Sequence, residues 1–151
     1  MDNCIFCAIL KGETPCSLVY EDEDCMAFMD LYPVRPGHVL VIPRQHAMFI
    51  SELNRPLRGH LIEVANQIVI AQKASGLPCD GTNLFINDGP AANQHVPHVH
   101  LHVLPREKGD GLKAVFTFAS RTLNYFGKAK KRQALDDIAT TIAAHMPQKV
   151  A

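Results

Sequence analysis

Apolar residues along the chain recur at two spacings, and those spacings divide it into strands and helices. Short apolar runs from Ser17 to Tyr20 and from Cys25 to Met29 flank the acidic stretch Glu21 to Asp24, which predicts a hairpin. Tyr32-Pro33-Val34-Arg35-Pro36-Gly37 then turns the chain into His38-Val39-Leu40-Val41-Ile42-Pro43, a nearly continuous apolar strand of the kind found inside a sheet. Asn54 is placed to cap a helix from Arg55 to about Ser75, with Pro56 tolerated in its first turn. Leu57, Leu61, Val64, Ile68 and Ala71 follow steps of four and three and give that helix one buried stripe, which Gly76-Leu77-Pro78 ends. Leu84-Phe85-Ile86 predicts another strand, Asn87 to Asn93 a loop, and Val96 to Leu104 a strand that Pro105, lacking a backbone donor, should close. Cys4 to Leu10 suits one or two helical turns ending near Gly12, and Lys131 to Met146 an amphipathic helix carrying Leu135, Ile138, Ile142 and Met146. Strands, helix, strands and helix in that order indicate an α+β domain with a mostly antiparallel sheet.

Within the strand predicted from Val96 to Leu104, His98, His100 and His102 recur at a spacing of two. Side chains of an extended chain alternate between faces, so the three imidazoles share one face and Val99, Leu101 and Val103 the other. Each buried ring nitrogen needs a partner, so a strand with no chemistry to perform rarely sets three such rings side by side. Neutral imidazole is a nucleophile near physiological pH, and a positioned ring can attack phosphorus and carry a covalent intermediate. His100 is the central ring, and His102 lies two residues on, about 6.6 Å along the strand. The loop from Asn87 to Gln94 supplies amide side chains and backbone donors of the kind phosphoryl chemistry uses. The same spacing also suits metal ligation by His98, His100 and His102.

Composition narrows the partners. The 151 residues fit one domain, and 15 Lys plus Arg against 15 Asp plus Glu leave no net field to attract nucleic acid, although a small anionic ligand stays open. The first residues lack the basic and apolar regions of a secretory signal, and no segment reaches the apolar length of a membrane span, so a soluble, cytoplasmic protein is expected. Five cysteines, an odd number, favour reduced thiols or metal ligation over disulfides. Cys16, Cys25 and Cys79 have no partner spacing and are expected to be inert. Cys4-x-x-Cys7 is half of a zinc site, which His46, just beyond a strand, and His98 could complete.

Several motifs in order carry a resemblance to a known family. Cys4-Ile5-Phe6-Cys7 followed by Leu10-Lys11-Gly12-Glu13, Tyr20-Glu21-Asp22, Phe28-Met29-Asp30, Pro36-Gly37-His38 running to Pro43, Asn87-Asp88-Gly89 and the histidine run resemble the histidine triad (HIT) superfamily of nucleotide hydrolases and transferases. The resemblance implies a HIT-like α+β fold, a mostly antiparallel five-stranded sheet with a long helix and a C-terminal helix. It covers residues 1–111 as a core, with 112–151 an extension of the same domain that matches only loosely. It implies cleavage at the α-phosphorus of purine nucleotide conjugates, phosphoramidates or dinucleoside polyphosphates, through a nucleotidyl-histidine intermediate on His100. His102 would hydrogen-bond the phosphate, Asp30 hold the ribose hydroxyls, and Asn87 and Gln94 contact phosphate and leaving group. Asn93 and His95 join that substrate-binding set. Where many relatives have Ala-Gly-Gln-Ser or Ala-Gly-Gln-Thr, this chain has Ala92-Asn93-Gln94-His95. Asn tolerates the left-handed conformation that Gly supplies, and His95 replaces a hydroxyl, which suggests a general acid for the leaving group.

The cysteine pair resembles that of zinc-bearing bacterial members, with Cys4, Cys7, His46 and His98 forming a closed, structural Cys2His2 zinc site. Family resemblance further implies a homodimer in which two sheets pair. His38 is expected near the active ring as a packing residue, and His60 and His145 as surface residues on helices. The competing readings are a non-catalytic nucleotide-binding or interaction protein, a nucleotidyl transferase, and a module that binds an ion through the three histidines.

Overall fold

The computed structural model describes residues 4–111 and 128–147. Five strands, β1 (Leu18–Glu21), β2 (Cys25–Met29), β3 (Val39–Pro43), β4 (Gly81–Ile86) and β5 (Leu101–Arg106), form one sheet in the order β1-β2-β3-β5-β4, antiparallel at every pairing. Among the described residues, three α-helices pack on it, α1 (Ile5–Leu10), α2 (Arg55–Ala74) and α3 (Lys128–Ala143).

The middle strands are apolar at every position because both of their faces are covered. Cys25, Ala27 and Met29 of β2 and Val39 and Val41 of β3 join Leu61, Val64, Ala65, Ile68 and Ala71 of α2 in one cluster. Leu135, Ala139 and Ile142 of α3 pack into the same cluster. The alternate residues, Met26 and Phe28 of β2 and Leu40 and Ile42 of β3, meet Cys4 and Phe6 on the opposite face. Strand periodicity thus sends successive apolar side chains to different helices. Asn54 caps α2 as its sequence predicts, its Oδ1 accepting the Leu57 N–H at 2.8 Å.

Strands β4 and β5 depart most from the sequence reading. β4 begins at Gly81 rather than Leu84, because pairing of Gly81, Thr82 and Asn83 with Arg106, Pro105 and Leu104 recruits positions with little strand preference. β5 is expected over Val96 to Leu104 but starts at Leu101, where Val41 and Ile86 first offer partners on its two sides. His98 and His100 therefore precede the strand. Pro105 does not end it. The Arg106 carbonyl accepts from the Asp80 amide on the β4 side. The backbone nitrogen of Pro105, one residue earlier, therefore faces the other way, where the β3 pairing has ended at Val39↔Val103. Gly37, at φ +88°, makes the turn before β3, and a Cβ there would lie 3.2 Å from both Leu77 and Pro105.

Asp22 ties the β1–β2 hairpin to α2. Its Oδ1 accepts the Asp24 and Cys25 amides at 2.9 and 2.8 Å, and its Oδ2 accepts from the Tyr20 hydroxyl and His60 Nε2, both at 2.7 Å. His60 is therefore half-buried against the hairpin rather than a simple surface residue. Burial alone would raise the Asp22 carboxyl, but these four donors together hold it well below the usual carboxylate range. A depressed carboxyl contributes stability that is complete above the unfolded value, about 3.9, and is lost as pH falls through the folded one. Asp22→Ala is expected to lower unfolding stability by about 1–3 kcal/mol near neutral pH. In urea melts the gap from the parent should narrow below about pH 4, and a gap independent of pH would contradict the assignment.

Candidate functional site

The alternation of side chains survives although only His102 of the three histidines lies in β5. Val99, Leu101 and Val103 enter the cluster beneath α2. His102 pairs with Leu40, which faces α1, and His98 and His100 pack edge-on to Phe6 with ring centroids 6.0 and 5.3 Å away. All three rings are buried.

Hydrogen bonds assign their tautomers. His100 Nδ1–H donates to the His98 carbonyl at 2.7 Å, which makes Nε2 the lone-pair nitrogen of that ring. The Val34 amide donates to His38 Nδ1 at 3.3 Å, so His38 Nε2–H donates to His102 Nδ1 at 3.0 Å and the His102 proton sits on Nε2. A lone pair and a donor therefore occur on adjacent rings whose centroids are 5.0 Å apart. His102 is held between His38 and Phe85, whose ring stacks on it at 4.4 Å and 9°. His38, expected to be a packing residue, sets the protonation pattern of its neighbour.

Asp30 joins this group from behind. Its Oδ1 accepts the Tyr32 amide at 2.9 Å and its Oδ2 lies 3.5 Å from His38 Nδ1. The loop after β4 is braced by Gln94, whose Oε1 accepts the Gly89 amide at 2.8 Å and whose Nε2 donates to the Met48 carbonyl at 2.9 Å. Asn87 Nδ2 donates to the Asn93 carbonyl at 3.5 Å, and Asn93 is left-handed at φ 62°, the conformation its sequence position predicts. His95 follows on the exposed side of this loop.

The third element is a cluster of sulfur and nitrogen. Donor atoms of Cys4, Cys7, His46 and His98 all lie within 4.8 Å of one another. His98 Nδ1 is 3.6 Å from Cys4 Sγ and 3.7 Å from Cys7 Sγ, and His46 Nδ1 is 3.2 Å from Cys7 Sγ. A tetrahedral zinc separates its sulfur and nitrogen ligands by about 3.5 Å, so the donors already span the edges of such a site. His98 Nε2–H donates to the Pro43 carbonyl at 2.9 Å, leaving Nδ1 as its ligand atom. Burial, together with the His46 and His100 rings, holds His98 below its ordinary value and keeps it neutral. Burial and the adjacent Cys4 push the Cys7 thiol up, the condition that a cation between the sulfurs reverses.

The three triad rings do not form one ligand set. Among the described residues, the other groups with donor atoms that close are Asp30 with His38 and His102, and Asp22 with Cys25 and His60. Burial raises the thiols of Cys16 and Cys25, in keeping with the inert role expected of them. Sequence reasoning missed Phe6 and Phe85. Phe6 stands between Cys4 and Cys7 on the buried side of α1, where its ring meets His98 and His100, whereas Ile5 beside it is exposed. Phe85 is the cross-strand partner of His102, visible only once the β4–β5 register is known.

The HIT domain model matches residues 11–109. A zinc-bound histidine triad family protein from Mycobacterium smegmatis superposes with a TM-score of 0.77 at 35% identity, over 95% of this chain and 92% of that one. An uncharacterized HIT-like protein of Methanocaldococcus jannaschii is 42% identical over 72% of this chain and 82% of its own. An adenylylsulfatase of Arabidopsis thaliana is 37% identical over 75% of this chain and 57% of its own.

The left-handed Asn93 gives a direct test of the loop geometry. Asn93→Ala is expected to cost about 1–2 kcal/mol, because Cβ meets the following carbonyl without an amide side chain to compensate. Asn93→Gly should leave the melting temperature nearly unchanged. Equal melting of the alanine and glycine variants would contradict the assigned conformation.

Proposed function

The chain belongs to the HIT domain family, and from that premise we propose that it hydrolyses purine nucleotide conjugates at the α-phosphorus through a nucleotidyl-histidine intermediate on His100. The observation that carries this reading is the 2.7 Å bond from His100 Nδ1 to the His98 carbonyl, which orients the Nε2 lone pair as the attacking group. That nitrogen bonds to phosphorus as the leaving-group bond breaks, and water then cleaves the phosphorus–nitrogen bond. His102 Nε2–H donates to a phosphate oxygen, in keeping with the hydrogen bond that His38 Nε2 makes to His102 Nδ1. Asn87, Asn93 and Gln94 hold phosphate and leaving group, and Asp30 receives the ribose hydroxyls. His95 protonates the leaving group.

Phosphoramidates and dinucleoside polyphosphates are the proposed substrates. The Arabidopsis relative's name adds a sulfate leaving group to those worth testing. Zinc fits the Cys4, Cys7, His46 and His98 donors, and with four protein ligands its chemistry there is structural: it would tie α1 to the segments bearing His46 and His98. Homodimerisation through β4 is supported by its place at the sheet edge, where Leu84 is 43% exposed. A cytoplasmic location is part of the same reading, and no described helix is long and apolar enough to cross a membrane. Residues 112–151 are proposed to extend the 1–111 core within one domain, as the packing of Leu135, Ala139 and Ile142 supports.

The test is turnover of adenosine phosphoramidate, diadenosine polyphosphates and adenylyl sulfate, with trapping of an adduct by a denaturing quench at alkaline pH, where a phosphorus–nitrogen bond survives. His100→Ala is expected to reduce kcat by about 10⁴-fold or more and to abolish the adduct. Binding of nucleoside monophosphate without turnover or adduct would favour a non-catalytic binding protein, and product transferred to phosphate or a sugar phosphate would favour a transferase. His95→Ala should slow poor leaving groups by about 10²-fold and spare good ones. Elemental analysis of protein purified without added zinc or chelator should find about one zinc per chain, and a value far below that would remove the metal assignment.

A further inference from the structure

Two main-chain arms run from the sulfur–histidine cluster to the groups assigned to phosphorus chemistry. The first passes through His98. Its ring Nδ1 faces both cysteine sulfurs, its Nε2–H is bound by the Pro43 carbonyl, and its own carbonyl accepts from His100 Nδ1. With the ring fully buried and engaged at both nitrogens, the 98–99 peptide has little freedom to turn its oxygen elsewhere.

The second arm starts at His46, 3.2 Å from Cys7 Sγ. One residue on, the Ala47 carbonyl accepts the Val99 amide at 2.8 Å and so joins the two arms. Two residues on, the Met48 carbonyl accepts Gln94 Nε2, and Gln94 Oε1 in turn holds the Gly89 amide. Asp88 Oδ1 accepts the Ile50 amide at 2.9 Å and adds a second tie between the same loops. Phe6, carried between the two cysteines, closes over His98 and His100. The four ligand side chains are thus each within two residues of a contact that orients the candidate site.

We propose that the Cys4, Cys7, His46 and His98 centre positions the reacting groups: occupied by a metal, it holds His100 in its Nδ1–H tautomer through the His98 carbonyl and holds the phosphate loop through Met48 and Gln94. His98 and His46 are positioning residues in this scheme. The proposal rests on the hydrolase reading above for its consequence in turnover, but its geometric content can be measured without turnover. Release of the metal frees the His98 ring, lets the His98 carbonyl rotate, and allows the His100 proton to redistribute between its two nitrogens.

The experiment compares the zinc-loaded full chain with the chain stripped by a chelator, and with Cys7→Ser and His46→Gln, which each remove one ligand from the less buried side. Circular dichroism identifies the forms that remain folded, so that unfolding of the stripped chain leaves the single-ligand variants as the comparison. Long-range nitrogen–proton NMR, at a pH where the ring is neutral, reads the His100 tautomer. The expected result is one Nδ1–H form in the loaded chain and a mixture in the metal-poor forms. Alongside it kcat should fall about 10–100-fold, and the Kd for a nucleoside monophosphate should rise as the phosphate loop loosens. An unchanged His100 tautomer in a folded, metal-poor chain overturns the proposal, as does a single tautomer in protein that purifies without metal and does not respond to added zinc. Absence of turnover in the loaded chain would instead reject the hydrolase reading, with the ring spectrum still deciding the positioning role.

Discussion

The central sheet is covered on both faces, but unequally, and the site follows from that inequality. On one face lie α2 and α3, with twenty and sixteen residues. On the other lies α1, with six, a helix about 9 Å long at 1.5 Å per residue. Five strands spaced about 4.8 Å apart make a sheet roughly 19 Å wide, so α1 cannot cover it. Phe6, Cys4 and their neighbours close the part over β2 and β3. The remainder is lined by Phe85 and by His38, His100 and His102, of which His38 Nε2 pairs with His102 Nδ1 and His100 Nδ1 with a backbone carbonyl.

That division explains what the sequence made legible. β2, β3 and α2 follow from apolar periodicity because each of their faces has a packed partner, and the Asn54 cap is local chemistry. The ends of β4 and β5 were not legible in the same way. They depend on where another strand starts and stops, and Pro105 is tolerated only because β3 ends before reaching it. At the site, the grouping of Cys4, Cys7, His46 and His98 was readable from residue types, whereas Phe85 and the role of His38 required the register between distant strands. The place of His60 beside Asp22 was likewise hidden, since a histidine on a helix carries no local sign of a carboxylate on a hairpin.

The histidine run is best understood as three rings with different partners. His98 looks toward sulfur, His100 toward a backbone carbonyl, and His102 toward another imidazole. Their equal spacing in the sequence is not matched by equal surroundings, because the chain bends between Val96 and His98 before straightening into β5. Gln94 shows the same separation of appearance from use. Read as a phosphate contact, it also spends both ends of its amide on joining two loops, so its loss would alter the loop's shape as well as its chemistry.

The pairing of His38 with His102 spans 64 residues of chain, and that of Cys4 with His98 spans 94. Contacts of such separation form only after the entropy of closing the intervening loops has been met, which makes them late events in folding. During synthesis the N-terminal cysteines and β3 emerge long before β5, which must then insert between β3 and β4. A chain that stops before β5 can bring Cys7 to His46 and Asp30 to His38 but lacks every partner supplied by His98, His100 and His102, so reactive geometry arises only with the finished sheet.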